Sequence, residues 1–342
     1  MARRRKRYAW ERWPHGRLLD TRIRDLGLTL DGSWVEPLVR RVLEELRSRG
    51  VRLRPQFWLS DEWFSPADVP GVAIPFYLAS PRLMRLERAR MLSVEGGTRE
   101  ECLRLLRHEV GHAVQHAWAL HRRRDWQRMF GSSTKRYPES YRPNPASRRY
   151  VQHLDAWYAQ SHPDEDFAET FAVWLRPNSR WRTRYEGWPA LAKLEYVDRL
   201  MAEIRRAPRV SRRRQRVDPV SRLRKTLREH YVAKRERYAV GGSSRWDEDL
   251  LAIFSPSRRH RGRESAVRFL RRHRAEIRES VSRWTGEYVF TIDQVLKQML
   301  ARCRDLKLRA VGSERALKLD FCIMLAARAT HYLYRRREWH VV

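Results

Sequence analysis

The sequence predicts an α+β protein in two parts. A domain with a short mixed sheet and two buried helices comes first, and a basic all-α domain follows. Three observations carry this. Two apolar-periodic stretches, 98–121 and 161–175, read as helices that bury most of their surface yet keep His and Glu on one side. Two short apolar runs, 51–59 and 72–78, have strand character. Beyond about residue 208 strand patterns cease, and helical periodicity with basic outer faces continues to 336.

At 342 residues the chain can hold one large domain or two ordinary ones. Hydrophobic residues at 42% exclude disorder throughout. Residues 1–25 form a basic arm, MARRRKRYAWERW onward, with the positive start of a signal peptide but no apolar run behind it. A solvated tail and a cytoplasmic location are expected. Asp31-Gly32-Ser33 turns the chain into a helix over 34–49, where Leu38, Val42 and Leu46 repeat at helical spacing and Gly50 ends it. Val51 to Leu59 then alternates as a strand does. In the second run Pro75 suits an edge strand or a bulge. Trp58, Trp63, Phe64, Phe76 and Tyr77 are expected mainly in the core, with a cleft lining as the alternative.

The centre of the chain is ECLRLLRHEVGHAVQHAWALH, 101–121. Leu103, Leu106, Val110, Ala113, Ala117 and Leu120 make one buried stripe, and Thr98 with Glu101 makes a capping box. Within it His108-Glu109-Val110-Gly111-His112 is an H-E-x-x-H signature. His108 and His112 lie one turn apart, so both imidazoles can reach one ion, and Glu109 can take a proton from water there. Hydrolytic zinc needs a third protein ligand. The metzincin continuation fails, because Gln115 and Trp118 stand where glycine and histidine would be, and His116 reads as a surface or supporting residue.

The better candidate lies in SHPDEDFAETFAVWL, 161–175. Ser161 or His162 can cap this helix and Pro163 suits its first turn. Glu165 and Glu169 are then i and i+4 on one face of a largely apolar helix. Buried carboxylates are costly unless paired or bound to a metal. The helix dipole accounts well for Asp164 and Asp166 in the first turn and badly for Glu169.

HEVGH followed by EDFAETFAVWL resembles the glutamate-type zincins (gluzincins), in particular a bacterial family of zinc-binding metallopeptidases. In outline it is also similar to the catalytic domain of anthrax lethal factor, with its E-F-F-A-E segment. The similarity runs from the glycine-rich turn before the first helix to Leu175, and extends upstream through Trp58–Pro66 and Val72–Leu83. The resemblance implies a small zincin-like metallopeptidase domain, bounded to 26–208 by the basic arm before it and the proline- and arginine-rich junction after it, and Zn²⁺ as cofactor. It implies His108, His112 and Glu165 as metal ligands, Glu109 as general base, and Glu169 supporting a ligand histidine. Tyr158 stands seven residues before Glu165, where lethal factor has an oxyanion-stabilising tyrosine; His162 is the alternative in that role. Small zincins also set an edge strand beside the metal, where a peptide substrate can pair with it.

Between the two helices, 122–150 is a proline- and arginine-rich insertion that either shapes substrate access through Tyr137, Tyr141 or Tyr150 or merely connects. Ala207-Pro208 and the run Ser211–Arg216 mark the expected boundary to a helical domain over 209–342. Helices are expected there over 218–238, 264–284, 291–306 (Thr291 with Gln294 as capping box) and 313–336. Substrate docking, nucleic-acid contact and stabilisation all stay open as its role. Cys102, Cys303 and Cys322 form no C-x-x-C pair and no even framework, which argues against disulfides and a zinc ribbon. No apolar stretch is as long as a membrane span.

Lys and Arg number 73 against 41 Asp and Glu, a formal +32. Such a field favours acidic polypeptide, nucleic acid or anionic lipid, although arginine far outnumbers lysine and the charge is spread along the chain, as genome composition alone produces. The reading is a zinc metallopeptidase acting on a peptide or protein substrate. The alternative is a nucleic-acid- or protein-binding module with a structural or inactive zinc site. Glu109 weighs against that alternative, since a structural site needs no general base.

Overall fold

In a computed structural model, the described residues are 8–138, 141, 143–238 and 246–336, the last seven by backbone only. They form two compact units, one built from 8–90 and 94–231 and the other mainly from 232–336. The first unit holds helices α1 (His15–Leu19), α2 (Glu36–Ser48), α3 (Pro81–Met91), α4 (Arg99–Trp118), α5 (Arg124–Phe130), α6 (Pro163–Leu175), α7 (Trp181–Arg184) and α8 (Ala190–Ile204). Strands β1 (Gln56–Ser60) and β2 (Gly71–Pro75) pair in parallel from Gln56↔Gly71 to Ser60↔Pro75. Helix α9 (Leu227–Arg237) runs across the division, and α10 (Asp247–Ile253), α11 (Ala266–Arg272), α12 (Arg274–Thr285), α13 (Val289–Asp305) and α14 (Glu314–Arg336) belong to the second unit. The fold is α+β and mostly helical. No described helix is long and apolar enough to cross a membrane.

Helix α4 lies in the middle of the first unit, packed by α6, α2 and β2. Its start follows from the capping box: the Thr98 hydroxyl accepts the Glu101 N–H at 3.2 Å. Arg107 anchors it to α2 through a buried, two-pronged pair with Glu45, at 2.8 and 2.7 Å. Opposed guanidinium and carboxylate forks in a dry setting fix register as well as distance.

Among the described residues the sheet has two strands, so β2 is an edge strand, as Pro75 suggests. Every residue of β2 is buried, and its second side is met by an antiparallel bridge between Phe64 and Ala73. An apolar run such as VAIP stabilises most when both faces are covered, and the outer edge of β2 is bridged by Phe64 at Ala73. Trp58, Trp63, Phe76 and Tyr77 are buried with it.

Residues 8–25 are likewise no free tail. Trp10, Leu18, Leu19 and Ile23 are buried, and the Trp10 indole donates to the Leu26 carbonyl at 2.8 Å. Residues 1–7 of the expected arm lie outside the described residues. The first unit also runs past the expected boundary at 208, to Tyr231. Val217 and Asp218 accept hydrogen bonds from Trp58 and Ser60, both at 2.8 Å, while Leu223 and Lys225 carbonyls accept from Arg24 and Ile23. Those commitments explain why helix starts only at Leu227 rather than at 218. The carbonyls of Asp218, Leu223 and Lys225 are spent on tertiary partners.

In the second unit Phe254 packs on Phe269 and Phe321, with ring centroids 6.1 and 6.0 Å apart. The expected helix over 264–284 is two helices broken at His273. Thr291 does not cap α13. It lies inside the helix and donates to the Tyr238 carbonyl at 3.2 Å. Buried Asp293 accepts two hydrogen bonds from Arg274, at 2.8 and 2.7 Å.

Candidate metal centre

Two helices build the site, and their close approach rests on one glycine. A Cβ at Gly111 would stand 3.0 Å from the Ala168 Cα and 3.2 Å from its carbonyl oxygen. Hydrogen in place of that carbon lets α4 and α6 meet backbone to backbone, which carries Glu165 to the two histidines. The His108 Nε2 is 3.0 Å and the His112 Nε2 3.2 Å from the Glu165 Oε2, and the two ring nitrogens are 3.2 Å apart. Among the described residues this is the group of His, Cys, Asp and Glu side chains whose ligand atoms converge, all within 4.8 Å of one another.

The surroundings orient these atoms. Glu169 accepts from His108 Nδ1 at 2.8 Å and from the Leu154 N–H at 2.8 Å. With the proton on Nδ1, the His108 Nε2 lone pair faces His112 and Glu165. Burial alone would disfavour a charged His108, but hydrogen bonds to Glu165 and Glu169 outweigh it and hold the imidazole well above its usual range. Burial likewise pushes Glu165 up, yet His112 and His108 draw it far below the ordinary carboxylate range. Glu109 is different. Burial raises its carboxyl, the two histidines only partly oppose this, and its Oε2 is buried without a hydrogen-bond partner.

That donor set fits zinc. Two neutral imidazoles and one carboxylate are a usual three-ligand set for a catalytic ion that keeps a further position open. An orphaned buried acceptor is costly, so Glu109 beside the cluster marks a place for a donor that the protein does not supply. Residues 98–198 match the family described as putative zinc-binding metallo-peptidase. The matched stretch opens at the cap of α4 and reaches into α8, so it contains both site helices. No curated protein and no solved structure matches the chain.

Tyr158 sits in the turn Asp155–Gln160, its ring 5.6 Å from that of His108. Ala156 and Trp157 before it both have left-handed backbone, φ 60° and 52°, and such conformations persist only where the surroundings enforce them. Burial, then the charge of Glu165, keeps the Tyr158 phenol protonated far above neutral pH. His162 is fully committed to structure. Its Nδ1 accepts the Asp164 N–H at 3.1 Å as the cap of α6, and its Nε2 donates to the Lys135 carbonyl at 2.7 Å. It therefore has no proton left for an oxyanion. His116 stays outside the cluster, and burial lowers it to about 4. His153 is buried against the Arg104 carbonyl at 2.9 Å.

Tyr137 is the residue the motifs did not assign to the centre. From the insertion it donates to the Glu165 Oε1 at 3.0 Å, leaving Oε2 for the histidines. Its ring stacks on His162 at 3.7 Å between centroids. Gln115, at the failed metzincin glycine, ties α4 to Asp164 of α6 at 2.7 Å. Neither contact leaves a trace in spacing, because each spans a long irregular stretch.

Proposed function

We propose that the chain is a zinc-dependent peptidase of the H-E-x-x-H, glutamate-ligand type, acting on a peptide or protein substrate. His108, His112 and Glu165 would hold the ion. Bound there, zinc supplies Lewis-acid polarisation of a carbonyl and lowers the pKa of water. The single observation that carries the reading is the unpartnered, buried Oε2 of Glu109 beside that cluster.

In this reading Glu109 takes a proton as water oxygen bonds to the peptide carbonyl carbon. It then returns the proton to the amine nitrogen as the carbon–nitrogen bond breaks. Burial raises its pKa, the direction that favours a carboxylate taking up the proton it later returns. Tyr158, protonated throughout, donates a hydrogen bond to the developing oxyanion. Glu169 holds His108 and Tyr137 holds Glu165, each by one short hydrogen bond. Three free cysteines among the described residues fit a reducing compartment such as the cytoplasm.

Glu109→Gln tests the reading, because it keeps size and position and removes the base. Zinc content by elemental analysis should match the parent, while hydrolysis of unfolded protein or a peptide library falls on the order of a hundredfold. Equal hydrolysis by parent and variant would sink the mechanism.

A further inference from the structure

Away from the zinc cluster, the first unit has a cavity of about 260 Å³ lined by Arg41, Arg99, Arg104, Arg107 and Arg176, with Glu100 the one acid. These arginines come from α2, from three turns of α4 and from the residue just after α6. No basic run in the sequence brings them together; packing does. Two are held in place before any ligand arrives. Arg107 is buried on Glu45, and Arg104 is held by the His153 carbonyl and, at 3.2 Å, by Asp155. Arg41 leans on the same Glu45 at 3.3 Å, so Glu45, Asp155 and Glu100 together offset part of the charge of the five arginines. Arg99 and Arg176 are exposed and, among the described residues, have no acidic partner.

We propose that this cavity binds a compact oxyanion carrying two or more phosphoryl groups, such as pyrophosphate. Guanidiniums that line one cavity repel one another less when an anion with several oxygens is bound there, and the planar fork matches phosphate oxygens in pairs. The size and lining select the class. Drug-sized ligands occupy about 300 Å³ or more, in mostly apolar walls. Here Leu103 is the single apolar lining residue and no aromatic ring is present. A nucleobase would find nothing to stack on, as single-stranded nucleic acid requires. The proposal is independent of the zinc chemistry.

Titration calorimetry of the full zinc-loaded chain with pyrophosphate and tripolyphosphate, at physiological salt, tests it. One saturable site per chain is expected. Arg99→Gln with Arg176→Gln should weaken it at least about tenfold, since two charge-assisted hydrogen-bond donors are lost. Arg212→Gln with Arg213→Gln removes the same charge from exposed positions elsewhere and should leave the affinity unchanged. Three results would overturn the inference: non-saturable binding, equal weakening in the two double variants, or a single-stranded oligonucleotide that binds this site in preference to pyrophosphate. Equal weakening would assign the binding to the diffuse field of a +32 chain.

Discussion

Gly111→Ala adds one methyl group at the crossing of α4 and α6, and two opposed effects decide its outcome. In a helix interior alanine is favoured over glycine by about 1 kcal/mol. Against this, the new carbon would lie 3.0 Å from the Ala168 Cα, 3.2 Å from its carbonyl oxygen and 3.3 Å from a Phe171 ring carbon. Relaxed carbon contacts lie near 3.5–4.0 Å, so the helices must part by roughly half an ångström. Overpacking of this kind costs about 1–3 kcal/mol, leaving the zinc-free chain destabilised by roughly 0–2 kcal/mol after the helix gain. The ligand set is far less tolerant than the fold. Glu165 leaves α6 within a turn of Ala168, and His108 and His112 flank Gly111, so parting the helices moves ligand atoms directly. Zinc sites keep ligand distances within about 0.2 Å, and a shift beyond that should weaken zinc on the order of 10–100-fold. Competition against a chromophoric chelator reads the zinc affinity, and a melt of the zinc-free chain reads the fold. A variant that melts higher and holds zinc as tightly as the parent would refute the claim that this crossing sets the ligand geometry.

Further outcomes follow from the same contacts. Tyr137→Phe keeps the stack on His162 and removes the donor to Glu165, so chelator competition should show several-fold weaker zinc, whereas Tyr158→Phe should leave zinc affinity alone and lower kcat. A chain ended after Ala207 loses the partners of Trp58, Ser60, Ile23 and Arg24 and should melt well below one ended after Tyr238; identical circular-dichroism melts would place the first unit's end at 207. Asp293→Asn leaves the partly exposed Arg274 beside a neutral amide and should cost about 1–3 kcal/mol at neutral pH, read by denaturant titration. Burial would raise the Asp293 carboxyl, but Arg274, then Lys297 and Arg278, hold it below its ordinary 3.8. A depressed folded value contributes stability that is complete above 3.8 and disappears as pH falls through the folded value. The gap between parent and Asp293→Asn should therefore close only in strong acid, and a gap unchanged down to pH 2 would contradict the pairing.

What the sequence determined by itself was whatever repeats with the period of a helix. The cap at Thr98, the one-turn spacing of His108 and His112, the start of α6 at Pro163 and the i, i+4 spacing of Glu165 and Glu169 are properties of single helices. Backbone geometry fixes them once the apolar stripe says helix. Tertiary structure decided which groups meet across irregular chain. Tyr137 reaches Glu165 from an insertion without periodicity, and His162, in reach of the site by number, is consumed by Lys135 and Asp164. Gly71–Pro75 is buried along its whole length, and Phe64 bridges its outer edge at Ala73. Residues 217–225 joined the first unit because their carbonyls satisfy donors two hundred residues upstream in places, and 8–25 because Trp10 and Ile23 are buried. A hydrogen bond between distant loops costs each loop its local regularity and leaves no pattern to read. Its partner is chosen only when the helices that carry the loops have packed.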